Sequence, residues 1–204
     1  MNLKPHSINQ NNNFIAGWYI DKNLCDNLIN FFEKDNTKTD GKTYGGGSST
    51  PKIDKKVKDS TDLDIAQYNQ IPLIQNYLNN LGLVIEHYKN KYVFSNENVL
   101  TWKISQSYNI QRYYPNQGFH KWHCERGNLH NGNRHLVFMT YLNDVTDGGE
   151  TEWYYQKIKV KPKKGLTVIW GTDWTFTHRG IPSPTQTKYI ITGWYSFIKP
   201  ENEG

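Results

Sequence analysis

The chain has only two cysteines, Cys25 and Cys124. Two such residues build no disulfide framework, and they form no C-x-x-C pair, so they read as free thiols in a reducing compartment. Long apolar runs are also missing: nothing approaches the ~18 residues that a membrane-spanning helix needs. The stretch 1–14 is polar and Asn-rich, without the apolar centre of a signal peptide. A cytoplasmic protein with no membrane partner is expected. Charge of one sign is not concentrated either. Lys and Arg number 24 against 19 Asp and Glu, for a net charge of +5. The lysines are scattered apart from Lys55-Lys56 and the stretch 157–164, so no nucleic-acid partner is implied. Gly45-Gly46-Gly47-Ser48-Ser49 is not closed by Gly-Lys-Ser/Thr, which excludes a phosphate-binding loop.

Aromatic side chains are abundant, at 14% with seven Trp and fourteen Tyr, a composition suited to strands and to aromatic-lined pockets. The 204 residues fit one domain. In its first half, Asp21 is placed to cap a helix running to Phe32, with Leu24, Leu28, Ile29 and Phe32 on one face. A second helical pattern spans 71–92 through Ile74, Tyr77, Leu78, Leu81, Ile85 and Tyr88. Between them, 35–61 reads as a mobile polar loop, a lid candidate. From about Val99, short β-branched and aromatic runs follow at 101–104, 108–114, 136–142, 151–155, 166–170 and 188–197. Turn residues such as Pro115-Asn116-Gln117-Gly118 and Asp147-Gly148-Gly149 separate them. The pattern predicts an α+β chain: a mainly helical part over 1–98, then a jelly-roll core over 99–200.

His123-Cys124-Glu125 lies between two of these runs. In an extended segment, residues i and i+2 share a face, so imidazole and carboxylate converge while Cys124 turns away. His178, in Phe176-Thr177-His178-Arg179-Gly180, offers a second imidazole. Two His and one carboxylate on one side of a metal form the facial triad of non-haem Fe(II) oxygenases. Alone, an H-x-[DE] match is weak. Lys188 stands ten residues beyond His178 and shares a strand face with Ile190, Thr192 and Trp194. A Lys among apolar neighbours is costly unless it meets an anion.

These residues fall into a larger pattern. Tyr113-Tyr114-Pro115-Asn116-Gln117-Gly118-Phe119-His120-Lys121-Trp122-His123-Cys124-Glu125 carries a tyrosine, a glycine turn and the H-x-E strand. Thr140-Tyr141-Leu142-Asn143, Gly148-Gly149-Glu150-Thr151, Pro162-Lys163-Lys164-Gly165, and His178-Arg179-Gly180 with Lys188 follow in order. Together they resemble the core of the prolyl-4-hydroxylase-like 2-oxoglutarate/Fe(II)-dependent dioxygenases, over about the last hundred residues of the chain.

The resemblance implies a double-stranded β-helix with N-terminal supporting helices. It implies Fe(II) held by His123, Glu125 and His178, with O2 as oxidant and ascorbate as a supporting reductant. Lys188 would pair with the far carboxylate of 2-oxoglutarate, Tyr141 would hydrogen-bond it, Thr192 would support it, and Tyr113 would approach the co-substrate. Arg134 matches a position facing the substrate entrance, and Trp194 an aromatic near the metal. The implied reaction hydroxylates an unactivated C–H, in first place of a prolyl residue in a peptide or protein, with release of succinate and CO2. A hydroxylase of a free amino acid or other small molecule, and a cupin-like binding module without turnover, remain alternatives. One departure stands out: the family usually has Asp where this chain has Glu125.

Overall fold

The structure is a computed structural model and describes residues 2–8, 13–43 and 50–199. In chain order the strands are β1 (Pro5–His6), β2 (Ala16–Tyr19), β3 (Thr39–Asp40), β4 (Thr61–Ile65), β5 (Trp102–Lys103) and β6 (Tyr108–Tyr113). They continue with β7 (Arg134–Tyr141), β8 (Thr151–Trp153), β9 (Ile158–Val160), β10 (Leu166–Gly171), β11 (His178–Gly180) and β12 (Lys188–Phe197). Two helices, α1 (Lys22–Lys34) and α2 (Pro72–Lys91), complete the frame. Asp21 caps α1, its Oδ1 accepting from the Asn23 amide at 2.9 Å, and a proline occupies the first turn of α2, where its missing N–H costs nothing.

Every strand pairing is antiparallel. The large sheet runs β1-β2-β10-β7-β12-β6-β4-β3, with β5 added to β12; a small sheet runs β11-β8-β9. Period-two alternation divides the core. On β7, Val137, Met139 and Tyr141 face the small sheet, with Trp153, Val160 and Trp170 in the same cluster. Leu136 and Phe138 belong to the opposite cluster, packed against Leu28 and Phe32 of α1 and Ile74, Tyr77 and Leu81 of α2. Ile190 and Ile191 split the same way on β12. Polar atoms caught in the helix layer pair with one another: Tyr77 Oη meets Thr140 Oγ1 at 3.0 Å, and Thr140 Oγ1 meets Thr167 Oγ1 at 2.7 Å. The molecule is thus a two-sheet sandwich with its helices on the outer face of the larger sheet.

The part before residue 99 holds more than helices and a loop: besides α1 and α2 it supplies β1 to β4, four strands of the large sheet. Three of them are edge or near-edge strands of two to four residues, too short to leave a periodic signal. The fourth, Thr61–Ile65, lies where a polar loop was expected to end. The 35–61 segment itself is anchored at both described ends. Thr43 and Lys52 form an antiparallel bridge, as do Lys58 and Phe119, and Asp59 N donates to Gly118 O at 2.9 Å. The run Gly45–Ser49 lies outside the described residues.

Candidate metal centre

His123 and His178 face each other across an antiparallel bridge, each amide donating to the other's carbonyl, at 3.0 and 2.9 Å. Directly opposed residues of such a pair point to the same side, so the two rings lie side by side, centroids 4.4 Å apart. Each ring is fixed through Nδ1, against Lys121 O for His123 and Phe176 O for His178, both at 2.9 Å. A carbonyl only accepts, so Nδ1 carries the proton and Nε2 presents its lone pair. Phe119 stacks on His123 at 3.6 Å between centroids, holding the ring from its other face.

Glu125 completes the group. Its Oε1 lies 3.5 Å from His123 Nε2 and 3.4 Å from His178 Nε2, and one ligand atom from each residue lies within 4.8 Å of the others. Burial alone would raise the Glu125 carboxyl, but the two neighbouring histidines hold it well below the usual carboxylate range. Burial, followed by the neighbouring His178, pushes His123 down. An ionised carboxylate and an imidazole with its lone pair free are the forms that bind a metal. The donor set, two nitrogens and one oxygen on one side of a point, fits a divalent transition metal with open positions opposite.

The three side chains border a cavity of about 710 Å³. Lys188, Ile190, Thr192 and Trp194 all line it, the shared face expected from alternation on β12. Lys188 is 4% exposed. Its Nζ donates to Gly149 O at 3.0 Å and lies 5.0 Å from the Tyr113 ring centroid. Burial pushes this ammonium down to about 8, with Glu150 opposing the shift. Three N–H donors with one carbonyl partner leave capacity for an anion in the cavity. Gly149 presents that carbonyl from a left-handed backbone with φ 78°, and a Cβ here would meet Val145 Cγ1 at 2.8 Å, so the turn needs glycine.

Residues 108–196 match the model of the 2OG-Fe(II) oxygenase superfamily. The matched stretch contains both histidines, Glu125 and Lys188. Over that stretch the chain is similar to the 2OG-Fe(II) oxygenase superfamily. Among solved structures, the chain is similar to a prolyl-4-hydroxylase of Pseudomonas putida, with TM-score 0.67, 13% identity, and 91% of this chain and 93% of that one covered. It is also similar to the viral collagen prolyl hydroxylase of Paramecium Bursaria Chlorella virus-1 in its 2OG complex, with TM-score 0.60, 18% identity, and 91% and 97% covered. A third likeness is to a Trichoplax adhaerens prolyl hydroxylase in complex with a hypoxia inducible factor oxygen degradation domain peptide fragment, with TM-score 0.67, 15% identity, and 91% and 84% covered. At these identities the likeness is one of fold, and it bears out the double-stranded β-helix. No curated protein matches the chain as a sequence.

The other expected site residues stand in varied positions. Trp194 reaches the triad: its Nε1 donates to Glu125 Oε2 at 2.9 Å. Arg134 lines the cavity. It is 6% exposed and lies over the Trp194 ring at 3.5 Å from the centroid. Its Nη1 donates to Glu125 O at 3.2 Å and approaches Oε2 at 3.4 Å, and its Nη2 donates to Gln106 Oε1 at 3.0 Å. A buried guanidinium needs acceptors, and the metal-side carboxylate supplies them. The two oxygens of Glu125 therefore divide their work, Oε1 toward the histidines and Oε2 toward Trp194 and Arg134.

Tyr141 stands behind Thr151 rather than in the cavity wall. It is fully buried, and its hydroxyl donates to Thr151 Oγ1 at 2.7 Å, with Val160 O at 3.3 Å. Thr151, not Tyr141, is the one of the two that lines the cavity. Sequence reasoning placed Thr151 in the glycine turn motif but gave it no role. Tyr113 lines the cavity as expected, and its hydroxyl donates to Gln111 Oε1 at 2.7 Å. Thr192 lines it too, with its Oγ1 donating to Phe138 O at 2.9 Å. A buried polar group behind Tyr113 went unforeseen: Lys58 Nζ to Asp62 Oδ2 at 2.5 Å, and Ser60 Oγ to Asp62 Oδ1 at 2.7 Å. No motif marks these residues, which are neighbours in sequence and are carried to the strand of Tyr113 by the β4–β6 pairing.

Proposed function

We propose that this oxygenase hydroxylates an unactivated C–H of a prolyl residue in a peptide or protein, with 2-oxoglutarate converted to succinate and CO2. The observation carrying this reading is the convergence of His123 Nε2, Glu125 Oε1 and His178 Nε2 in one cavity with the buried ammonium of Lys188. Bound at the triad, Fe(II) supplies the oxygen activation that no side chain can provide. The protein's own share is positional. His123, Glu125 and His178 hold the metal on one side, leaving the cavity side for co-substrate and oxygen. Lys188 grips the far carboxylate of 2-oxoglutarate by charge-assisted hydrogen bonds in a water-poor pocket. Thr151, oriented by Tyr141, and Thr192 border the same space. Trp194 and Arg134 keep Glu125 aimed, which makes them positioning residues.

The prolyl substrate is supported by the relatives of like fold, each a prolyl hydroxylase by name, one with a bound peptide fragment. A screen of proline-bearing peptides by mass spectrometry, with Fe(II), 2-oxoglutarate and air, tests it. Products heavier by one oxygen atom at proline, formed only with 2-oxoglutarate, are expected. Hydroxylation of free amino acids alone would overturn the peptide reading.

A further inference from the structure

Tyr113 and Lys188 face each other across the β6–β12 pairing. Directly opposed side chains of an antiparallel pair lie on the same side of the sheet. The ammonium accordingly stands over the tyrosine ring, 5.0 Å from its centroid, within reach of a cation–π contact. Two other groups confine the same ammonium. Gly149 O accepts from Nζ at 3.0 Å, and a Cβ built on Gly180 would come within 3.7 Å of it. With these neighbours, the space for an anion is the cavity that Lys188 borders.

The far end of the tyrosine is committed elsewhere. Its hydroxyl has a single proton to give, and that proton goes to Gln111 Oε1 at 2.7 Å. The sense of this bond is fixed from behind. Asp62 stands opposite Gln111 in the β4–β6 pairing, and its Oδ2 lies 3.5 Å from Gln111 Nε2. A carboxylate only accepts, so the amide turns its NH2 to Asp62 and keeps its oxygen for Tyr113. Lys58 Nζ donates to the same Oδ2 at 2.5 Å and Ser60 Oγ to Oδ1 at 2.7 Å, so both oxygens of Asp62 are engaged. Lys58, Ser60, Asp62, Gln111 and Tyr113 are all buried. Burial, followed by the charge of Asp62, pushes the Tyr113 hydroxyl well above the usual tyrosine range, so it remains a donor. The ring is thus held at both ends, by the β6 backbone and by its hydroxyl, with its face to Lys188.

We infer that Tyr113 is a positioning residue for Lys188: its ring face holds the ammonium toward the cavity, while Gln111, backed by the Lys58–Asp62 pair, keeps its hydroxyl proton off the co-substrate. Binding of 2-oxoglutarate therefore needs the ring of Tyr113 and not its hydroxyl. The approach to the co-substrate expected of Tyr113 is made through Lys188. The inference rests on the reading of Lys188 as the anchor of 2-oxoglutarate. The test is isothermal titration of 2-oxoglutarate into the full chain loaded with Mn(II), which leaves oxygen chemistry silent. Tyr113→Phe keeps the ring that makes the contact and binds within about twofold of the unaltered protein. Tyr113→Leu binds about tenfold more weakly, the size of a desolvated cation–π contact. In a Lys188→Met background the same exchange to Leu changes affinity by less than about twofold, because ring and ammonium act as one unit.

Equal losses in Tyr113→Phe and Tyr113→Leu would overturn the inference, since the hydroxyl would then be the contact. Because Tyr113→Phe leaves the packing of the ring in place, it decides this point even where Tyr113→Leu does not fold. A Tyr113→Leu loss of the same size with and without Lys188, or no loss at all, would overturn it as well. Failure of the anchor reading looks different: Lys188→Met alone then binds 2-oxoglutarate as the unaltered protein does, and the inference falls with it. Weaker binding by Lys188→Met beside unchanged binding by Tyr113→Leu leaves the anchor standing and removes only the role of the ring.

Discussion

Glu125 shows how a ligand residue is specified by more than its own motif. In sequence, H-x-E was legible as a candidate ligand pair, and His178 and Lys188 were legible through their spacing. The grip on Oε2 was not, because Trp194 lies far from Glu125 along the chain and comes beside Arg134 only through the β7–β12 pairing. Groups that orient a metal ligand typically contribute ten- to a hundredfold in metal affinity. Trp194→Phe keeps a ring beneath Arg134 but removes the donor to Oε2. About tenfold weaker Co(II) or Fe(II) binding is expected by isothermal titration, with the melting temperature little changed. Unaltered affinity would show that Glu125 needs no such support.

Lys188 gives a second residue-scale expectation, with a definite sign. Its folded-state pKa is about 8, against an ordinary value of 10.5. Between these values the unfolded chain binds more protons than the folded one, so this group makes the ligand-free protein more stable as pH rises through that window. The anion-binding role runs the other way. An ammonium that has lost its proton no longer attracts a dianion, so 2-oxoglutarate affinity holds below pH 8 and weakens above it. Lys188→Met removes this pH dependence and weakens binding at every pH. Equilibrium titrations of 2-oxoglutarate from pH 6.5 to 9.5 decide it. The same affinity at both ends of that range would contradict the assigned role.

At the scale of elements, the long and strongly patterned segments were readable and the short ones were not. The strand expected over 188–197 has those bounds in the structure, and the helix expected over 71–92 is α2, Pro72–Lys91. Strands β9 and β11, three residues each, carry too few side chains to alternate visibly. Among the helix residues singled out, Ile29 and Leu78 are only partly buried and pack at the margin of the core. Leu81 lies at its centre, 1% exposed. Leu81→Ala should destabilise the fold by about 2–5 kcal/mol, read from the urea midpoint. Because α2 packs on the face of the large sheet away from the cavity, metal affinity of the folded fraction should not change.

For the whole molecule, the sandwich does two things at once. Its helix-side core provides stability, and its sheet-to-sheet space is left open at the end where His123, Glu125 and His178 meet. The described ends of the 35–61 segment stand against that opening: Thr39, Thr43, Val57 and Lys58 line the cavity. Composition alone marked this segment only as polar, because its contacts with Gly118 and Phe119 are made across the fold. The central claim is that the triad and Lys188 form one site for Fe(II) and 2-oxoglutarate together. Anaerobic addition of both to the full chain tests this most directly, through the visible metal-to-ligand charge-transfer band of the chelate. The band should appear with the unaltered protein, vanish in His178→Ala, and require much more 2-oxoglutarate in Lys188→Met. No band with the unaltered protein, or the same band in His178→Ala, would contradict it.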